Sequence, residues 1–345
     1  MVSLSVVYKK LDIYYISCRK IQYKLDVLKT YRNILNVIVT MNKDDYVSTI
    51  KNLVISGGGI AGFAFYGALK QLSINGIWNI NNIENIYATS IGTVISVMLS
   101  LKYSWEELDD FIILRPWHRV FKFDFTMVLN AIENRGIFNN EIMKEILKPL
   151  LLGKELDIDI SLKTFYEKTG INIHFICTNL YSMNSVNISH KTHPDWQLVD
   201  AIYCSCSLPI CFSPYLYENT YLCDGGFVDN YPLNICLNDG HKEYETIGIG
   251  FCIVTDDEKS DNEINNDNFN LFDYILTLLM NLIRKINTKN NNNSLYKEVL
   301  FDPNASIFNE LYNTINMKDI RKELMTIGME KADEVCLESS METID

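Results

Sequence analysis

The chain has 345 residues, 48% of them hydrophobic, enough to bury a large core as one domain or one domain with appendages. Its 31 basic and 43 acidic residues leave a net charge of −12, which argues against nucleic acid as a partner, because phosphate binding needs a basic face. The same balance argues against strong electrostatic capture by an anionic membrane, while leaving room for a local basic patch.

Taken in chain order, residues 1–48 read as an N-terminal extension, of which Met1–Thr40 are either genuine or upstream of a true start at Met41. The basic pair Lys9-Lys10 follows the first apolar run, the reverse of a signal peptide. Asn52–Ser56 is a short apolar strand that ends in glycines, and Gly62–Leu72 follows as a helix with Ala64, Ala68 and Leu72 at spacing four. Ile83–Ala88 is a second strand, and Ile91–Leu101 a second helix, apolar nearly all round and therefore buried. This strand–loop–helix rhythm predicts a parallel α/β sheet.

Further helices are expected at Trp105–Phe111, Glu141–Leu152 and Trp196–Ser205, and strands at Asn172–Thr178, Tyr221–Asp224 and Thr246–Val254. Asp256–Asn268 is acidic and Asn-rich and reads as a solvated loop, as does Lys289–Asn293. Between them Leu271–Ile286 is a helix with Leu271, Ile275, Leu278, Leu282 and Ile286 on one stripe. Core packing is the expected role of that stripe, with a membrane-facing or dimerising surface as the alternative. A final helix runs over Lys318–Leu337. The expected boundaries are therefore 1–48, a catalytic domain over 49–255, and a loop with a helical region over 256–345.

The nine cysteines show no CxxC pair, and Cys204 and Cys206 have no second cluster to share a metal with. An odd count in a chain this long reads as reduced thiols in an intracellular setting. No apolar run reaches the ~18 residues of a membrane span. A cytoplasmic or peripherally membrane-associated protein is expected.

Three short stretches carry chemistry. Gly57-Gly58-Gly59-Ile60-Ala61-Gly62 satisfies GxGxxG, yet the second strand ends in Ala88-Thr89-Ser90 rather than in the acid that a dinucleotide site needs, and no Lys-Ser/Thr follows for a P-loop. What is left is a loop whose bare amides face an anion at a helix N-terminus, or a plain tight turn. Ala88-Thr89-Ser90-Ile91-Gly92 is a GxSxG nucleophile elbow with Ala in first place; its plain alternative is Ser90 as a helix cap. Asp224-Gly225-Gly226 puts a carboxylate at a strand end, as a general base or as a simple turn. Together they supply an oxyanion cradle, a nucleophile and a base.

The combination resembles the patatin-like phospholipase family, whose members carry a Gly-rich oxyanion loop, a GxSxG elbow and a DGG or DGA aspartate in this order. Ser205-Cys206-Ser207-Leu208-Pro209-Ile210-Cys211-Phe212-Ser213-Pro214 is similar to the family's Ser-rich, Pro-containing segment, and Asp224 through Pro232 fits its DGGxxxNxP pattern. The resemblance covers about Asn52–Leu233. It implies a three-layer α/β/α fold with a mainly parallel central sheet. It implies Ser90 as nucleophile, Asp224 as proton acceptor, amides around Gly57, Gly58 and Gly59 as oxyanion hole, and Gly62, Ala88, Gly92, Gly225 and Gly226 as motif positions. The implied activity is acyl-ester hydrolysis of phospholipids or other lipids at a membrane or micelle surface, through an acyl-serine, with no metal and no cofactor. Ala61 departs from the pattern, standing where the family has Arg or Lys.

Two rivals are weighed. One is an α/β-hydrolase with a Ser90-Asp224-His241 triad, which suits the chain order but wants several strands before the elbow, where only one is found. The other is a non-catalytic member that binds lipid or protein. His174, in an apolar strand, reads as structural.

Overall fold

The structure, a computed structural model, describes residues 50–122, 131–252, 271–288, 295, 297–303, 305 and 311–342. The readings of 1–48 as an extension and of 256–268 and 289–293 as loops lie outside the described residues. Short apolar runs form the strands of the main sheet: β1 Asn52–Ile55, β2 Asn85–Thr89, β4 Asn172–Asn179, β5 Ser185–Ile188, β7 Tyr215–Tyr217, β8 Thr220–Asp224, β9 Thr246–Phe251 and β10 Glu298–Phe301. Their order is β10-β9-β1-β2-β4-β8-β7, with β5 also paired to β4. The pairs from β10 across to β4 are parallel. Those joining β4, β5, β7 and β8 are antiparallel. β3 Gly136–Phe138 and β6 Ile210–Phe212 form a separate parallel pair.

The α-helices of five or more residues are α1 Gly62–Ile74, α2 Ile91–Ser100, α3 Trp105–Asp109, α4 Glu141–Leu152, α5 Leu162–Thr169, α6 Leu198–Cys206, α7 Leu233–Asn238, α8 Leu271–Thr288, α9 Leu311–Asn316 and α10 Lys318–Glu342. Alternation along each strand divides them between two faces. Leu53, Ile55, Ile86 and Ala88 point into the large core shared with α1, α2, α4 and α6. Val54 and Tyr87 point to the other face, against Tyr231, Leu233 and Cys236 of α7 and the turn before it. The result is the three-layer α/β/α arrangement expected, with one thick and one thin helical layer.

The C-terminal stretch is integral to this architecture. β10 extends the sheet beyond β9, and α10 lies along α1. The two helices approach so closely that a Cβ on Gly67 would strike the Met325 carbonyl, and one on Gly328 the Ala64 carbonyl.

The stripe on α8 departs from the core role expected for it. Leu278, Leu282 and Ile286 are 47%, 46% and 39% exposed, and it is Ile283, off the stripe, that is buried. The helix rests against the turn that follows Asp224.

Candidate active site

The parallel strands deliver Ser90 to the carboxyl edge of the sheet, and the register on β4 brings Asp224 to it. Thr89 pairs with Ile176, and Asp224 with the next residue, Cys177. The ends of β2 and β8 therefore meet on adjacent positions of β4. Gly225 lies against the Ile176 carbonyl and, with a built Cβ, 3.0 Å from the Thr89 methyl.

Ser90 has φ 52° and ψ −126°, a conformation that costs a residue with a side chain ~1–3 kcal/mol. Several bonds hold it there. Its N–H donates to Ser205 Oγ at 2.9 Å, and that hydroxyl donates to the Ile176 carbonyl at 2.6 Å. Its carbonyl accepts from Thr93 N at 2.8 Å and Thr93 Oγ1 at 2.7 Å. The strain lifts the side chain out of the strand at the N-terminus of α2, where the helix dipole favours developing negative charge. Ala88 is fully buried, so a methyl fits where the motif has glycine. At Gly92 a Cβ would stand 2.5 Å from the Ile55 carbonyl oxygen, so α2 crosses the end of β1 too closely for any side chain. A Cβ on Gly62 would meet Ile91 at the start of the same helix.

Asp224 is 5% exposed. Burial pushes its carboxyl up to about 6, against the opposing pull of hydrogen bonds from the Gly226 amide and the Ser90 hydroxyl. The Gly226 bond measures 2.8 Å. Cys206 Sγ lies 3.8 Å from Thr93 Oγ1, and burial drives its thiol far above its ordinary value, so that it stays protonated. Asp229, in the same loop, is likewise pushed up to about 6 by burial.

The glycine loop requires one correction. Gly57 cannot serve as an oxyanion donor, because its N–H already donates to the Asn230 carbonyl at 3.0 Å. The amides of Gly58 and Gly59 have no such partner among the described residues. Gly57 instead provides room: a Cβ there would lie 2.5 Å from Asn230 Oδ1 and 3.1 Å from Ser90 Cβ. Ala61 is fully buried under the loop.

The triad reading also requires correction. His241 Nε2 lies 3.1 Å from the Tyr87 hydroxyl, which donates to Asp239 at 2.7 Å. Tyr87 belongs to the thin face of the sheet, whereas Ser90 turns into α2 on the thick face. His241 is therefore on the wrong side to relay a proton to Ser90. His174 stacks on the same Tyr87 at 4.0 Å, and burial lowers its imidazole to about 4, so it stays neutral. Sequence reasoning missed Ser205, Thr93 and Asn230 as site residues. Ser205 and Asn230 sit within the two strings that match the family pattern, which was the available signal.

The family model for patatin-like phospholipase matches residues 53–237. The chain belongs to the patatin-like phospholipase family. It is 30% identical over 237 residues to the uncharacterized protein R571 of Acanthamoeba polyphaga mimivirus, covering 69% of this chain and 77% of that one. It is 28% identical over 195 residues to the probable lipid hydrolase 463L of Invertebrate iridescent virus 6, covering 56% and 65%. With the lysophospholipase NTE1 of Meyerozyma guilliermondii it shares 23% identity over 61% of this chain, which spans only 14% of that protein. Among solved structures it is similar to VipD from Legionella pneumophila, with TM-score 0.42 and 15% identity over 60% of this chain and 51% of that one. It is also similar to ExoU of Pseudomonas aeruginosa in its complex with SpcU, with TM-score 0.41 and 14% identity over 84% and 52%. Membership of this family, together with the relatives named as lipid hydrolase and lysophospholipase, supports hydrolase activity on lipids. Among the described residues no helix is long and apolar enough to cross a membrane.

Proposed function

We propose that the chain hydrolyses acyl esters of lipids, phospholipase A-like, through an acyl-Ser90 intermediate on a Ser90–Asp224 dyad. The observation that carries this reading is the meeting of the β2 and β8 ends on adjacent positions of β4, which sets Ser90, strained at the N-terminus of α2, beside the buried Asp224 carboxyl, and burial pushes that carboxyl up to about 6, toward the range of a useful base. Ser90 Oγ attacks the ester carbonyl and its proton passes to Asp224. The oxyanion is held by the Gly58 and Gly59 amides. Collapse expels the alcohol, which takes the proton from Asp224. Water then attacks the acyl-serine, Asp224 accepts its proton, and the acid leaves as the proton returns to Ser90. No step calls on a metal or cofactor.

The substrate is met at a lipid surface. The exposed stripe of Leu278, Leu282 and Ile286, on a helix that touches the Asp224 turn and carries Lys285 in its last turn, supports this. Purified protein incubated with phospholipid should release fatty acid. Ser90→Ala and Asp224→Asn should each abolish most of it, and the double variant should be little worse than either. His241→Ala should be nearly silent. Full activity in Ser90→Ala, or a loss in His241→Ala equal to that in Ser90→Ala, would refute the dyad. Protein that is inert but binds vesicles would favour a lipid-binding member of the family.

A further inference from the structure

We infer that Asn230 is a positioning residue of the reaction: it locks the oxyanion loop in register with the nucleophile and base. The inference rests on the Ser90–Asp224 reading. The three parts of the site sit on three separate connections, after β1, β2 and β8, and something must hold them to a fraction of an ångström. The dipeptide Asp229-Asn230 touches all three.

Toward the glycine loop, Asn230 Nδ2 donates to Ser56 Oγ at 3.0 Å and to the Gly57 carbonyl at 3.1 Å. Its backbone carbonyl accepts the Gly57 amide at 3.0 Å. Gly57 is thus gripped at both its N–H and its C=O by one residue. The Gly57–Gly58 peptide plane is fixed by that grip, and so is the direction of the Gly58 amide, which belongs to that plane. Toward the elbow, the preceding carbonyl, of Asp229, accepts Thr89 Oγ1 at 2.8 Å, one residue before the nucleophile. Toward the base, a Cβ on Gly226 would meet Asn230 Oδ1 at 2.9 Å, and it is the Gly226 amide that holds the Asp224 carboxylate. Asn230 therefore fills the gap between Gly57 and Gly226, with its donors turned to the oxyanion loop and its oxygen lying between the two glycines.

This role predicts a loss in kcat rather than in KM, because a misdirected amide weakens binding of the oxyanion and not of the ester. The experiment uses the full chain and a water-soluble short-chain p-nitrophenyl ester, so that lipid-surface effects do not enter. Asn230→Ala removes both Nδ2 bonds and the side chain that fills the gap between Gly57 and Gly226, leaving only the backbone carbonyl on the Gly57 amide, and Asn230→Asp keeps the shape while removing the Nδ2 donors. Each should lower kcat about 100-fold, the loss typical of one oxyanion donor, with KM within about threefold. In Asn230→Ala the acid limb of the pH profile should stay where the parent has it, since Asp224 keeps its own contacts, whereas the carboxylate of Asn230→Asp, close to Asp224, should move that limb to higher pH. Ser56→Ala should lose less, and combined with Asn230→Ala should add little, because the two share one bond. Melting temperature is recorded for each, and if Asn230→Ala fails to fold, Asn230→Asp decides the matter.

A folded variant with kcat within about threefold of the parent overturns the role, as does a loss carried by KM alone. A lower melting temperature with unchanged kcat means that Asn230 only stabilises the fold, and also overturns it. Ser90→Ala in the same assay separates the two failures: if it retains turnover, the dyad reading itself is wrong.

Discussion

At Asp224 burial opposes charge, and two hydrogen bonds only partly restore it. A base protonated below about pH 6 cannot accept the Ser90 proton, so turnover of a soluble ester should fall as pH drops through 6 with a slope of one proton. A profile flat to pH 5 would show that Asp224 is not the titrating base. The same shift has a stability consequence. The folded carboxyl binds its proton more tightly than the unfolded one, near 3.8, so the native state is penalised above pH 6, progressively less between 6 and 3.8, and not at all below. Asp224→Asn should therefore raise the melting temperature at pH 7.5, by at most ~3 kcal/mol in free energy, and lose that advantage by pH 3.5. Chemical melts at the two pH values measure it. A destabilised variant at pH 7.5 would mean that the lost hydrogen bonds outweigh the relieved charge. Ala88 belongs to the same scale: its methyl is buried in the core, so Ala88→Gly should cost about 1 kcal/mol of stability and leave kcat within about threefold.

Elements carry the next level of consequence. α8 presents Tyr274, Leu278, Leu282 and Ile286 outward at 55%, 47%, 46% and 39% exposure. Leu278→Asp with Leu282→Asp should reduce co-flotation with phosphatidylcholine/phosphatidylserine vesicles and activity on them, with turnover of the soluble ester unchanged. Equal losses on both substrates would place the stripe in folding rather than in surface contact. The stripe itself was legible in the sequence at spacing three to four, but its direction was not. A period says which residues share a face, and the neighbours decide which face is covered. The βα units fared better. Gly62–Leu72 was expected and Gly62–Ile74 is found; Glu141–Leu152 is found as expected; Asn172–Thr178 extends by one residue to Asn179. Their apolar runs end in glycines, caps or prolines that can be read locally. β3, β6 and β7, three residues each, and the four-residue β10 are too short to carry a period; β3, β6 and β10 exist only through pairing with distant partners, and β7 through its hairpin with β8.

For the whole molecule, the order of Gly-rich loop, elbow and Asp-Gly-Gly made the candidate site readable, because each device needs particular small or reactive residues at fixed spacing. Where each amide points was not readable. Gly57 looks like its two neighbours in sequence, and only a carbonyl from Asn230, far along the chain, withdraws it from the oxyanion. The C-terminal helix shows the same limit. Its apolar residues predicted a helix, but not that Gly67 and Gly328 let α10 lie directly on α1. Gly328→Val would drive a branched side chain into the Ala64 carbonyl and should cost about 2 kcal/mol or more, read as a lower denaturation midpoint. A neutral result would mean that α10 can lift off the domain.

The account stands or falls on Ser90 as a nucleophile activated by Asp224. Treatment with a fluorophosphonate, followed by peptide mass spectrometry, tests this most directly, because the probe reacts only with a serine that has a base and an oxyanion site beside it. The predicted result is one adduct, on the peptide containing Ser90, absent in Ser90→Ala and formed at least about 100-fold more slowly in Asp224→Asn. An adduct on another residue, or labelling of Ser90 at an unchanged rate in Asp224→Asn, would contradict the account.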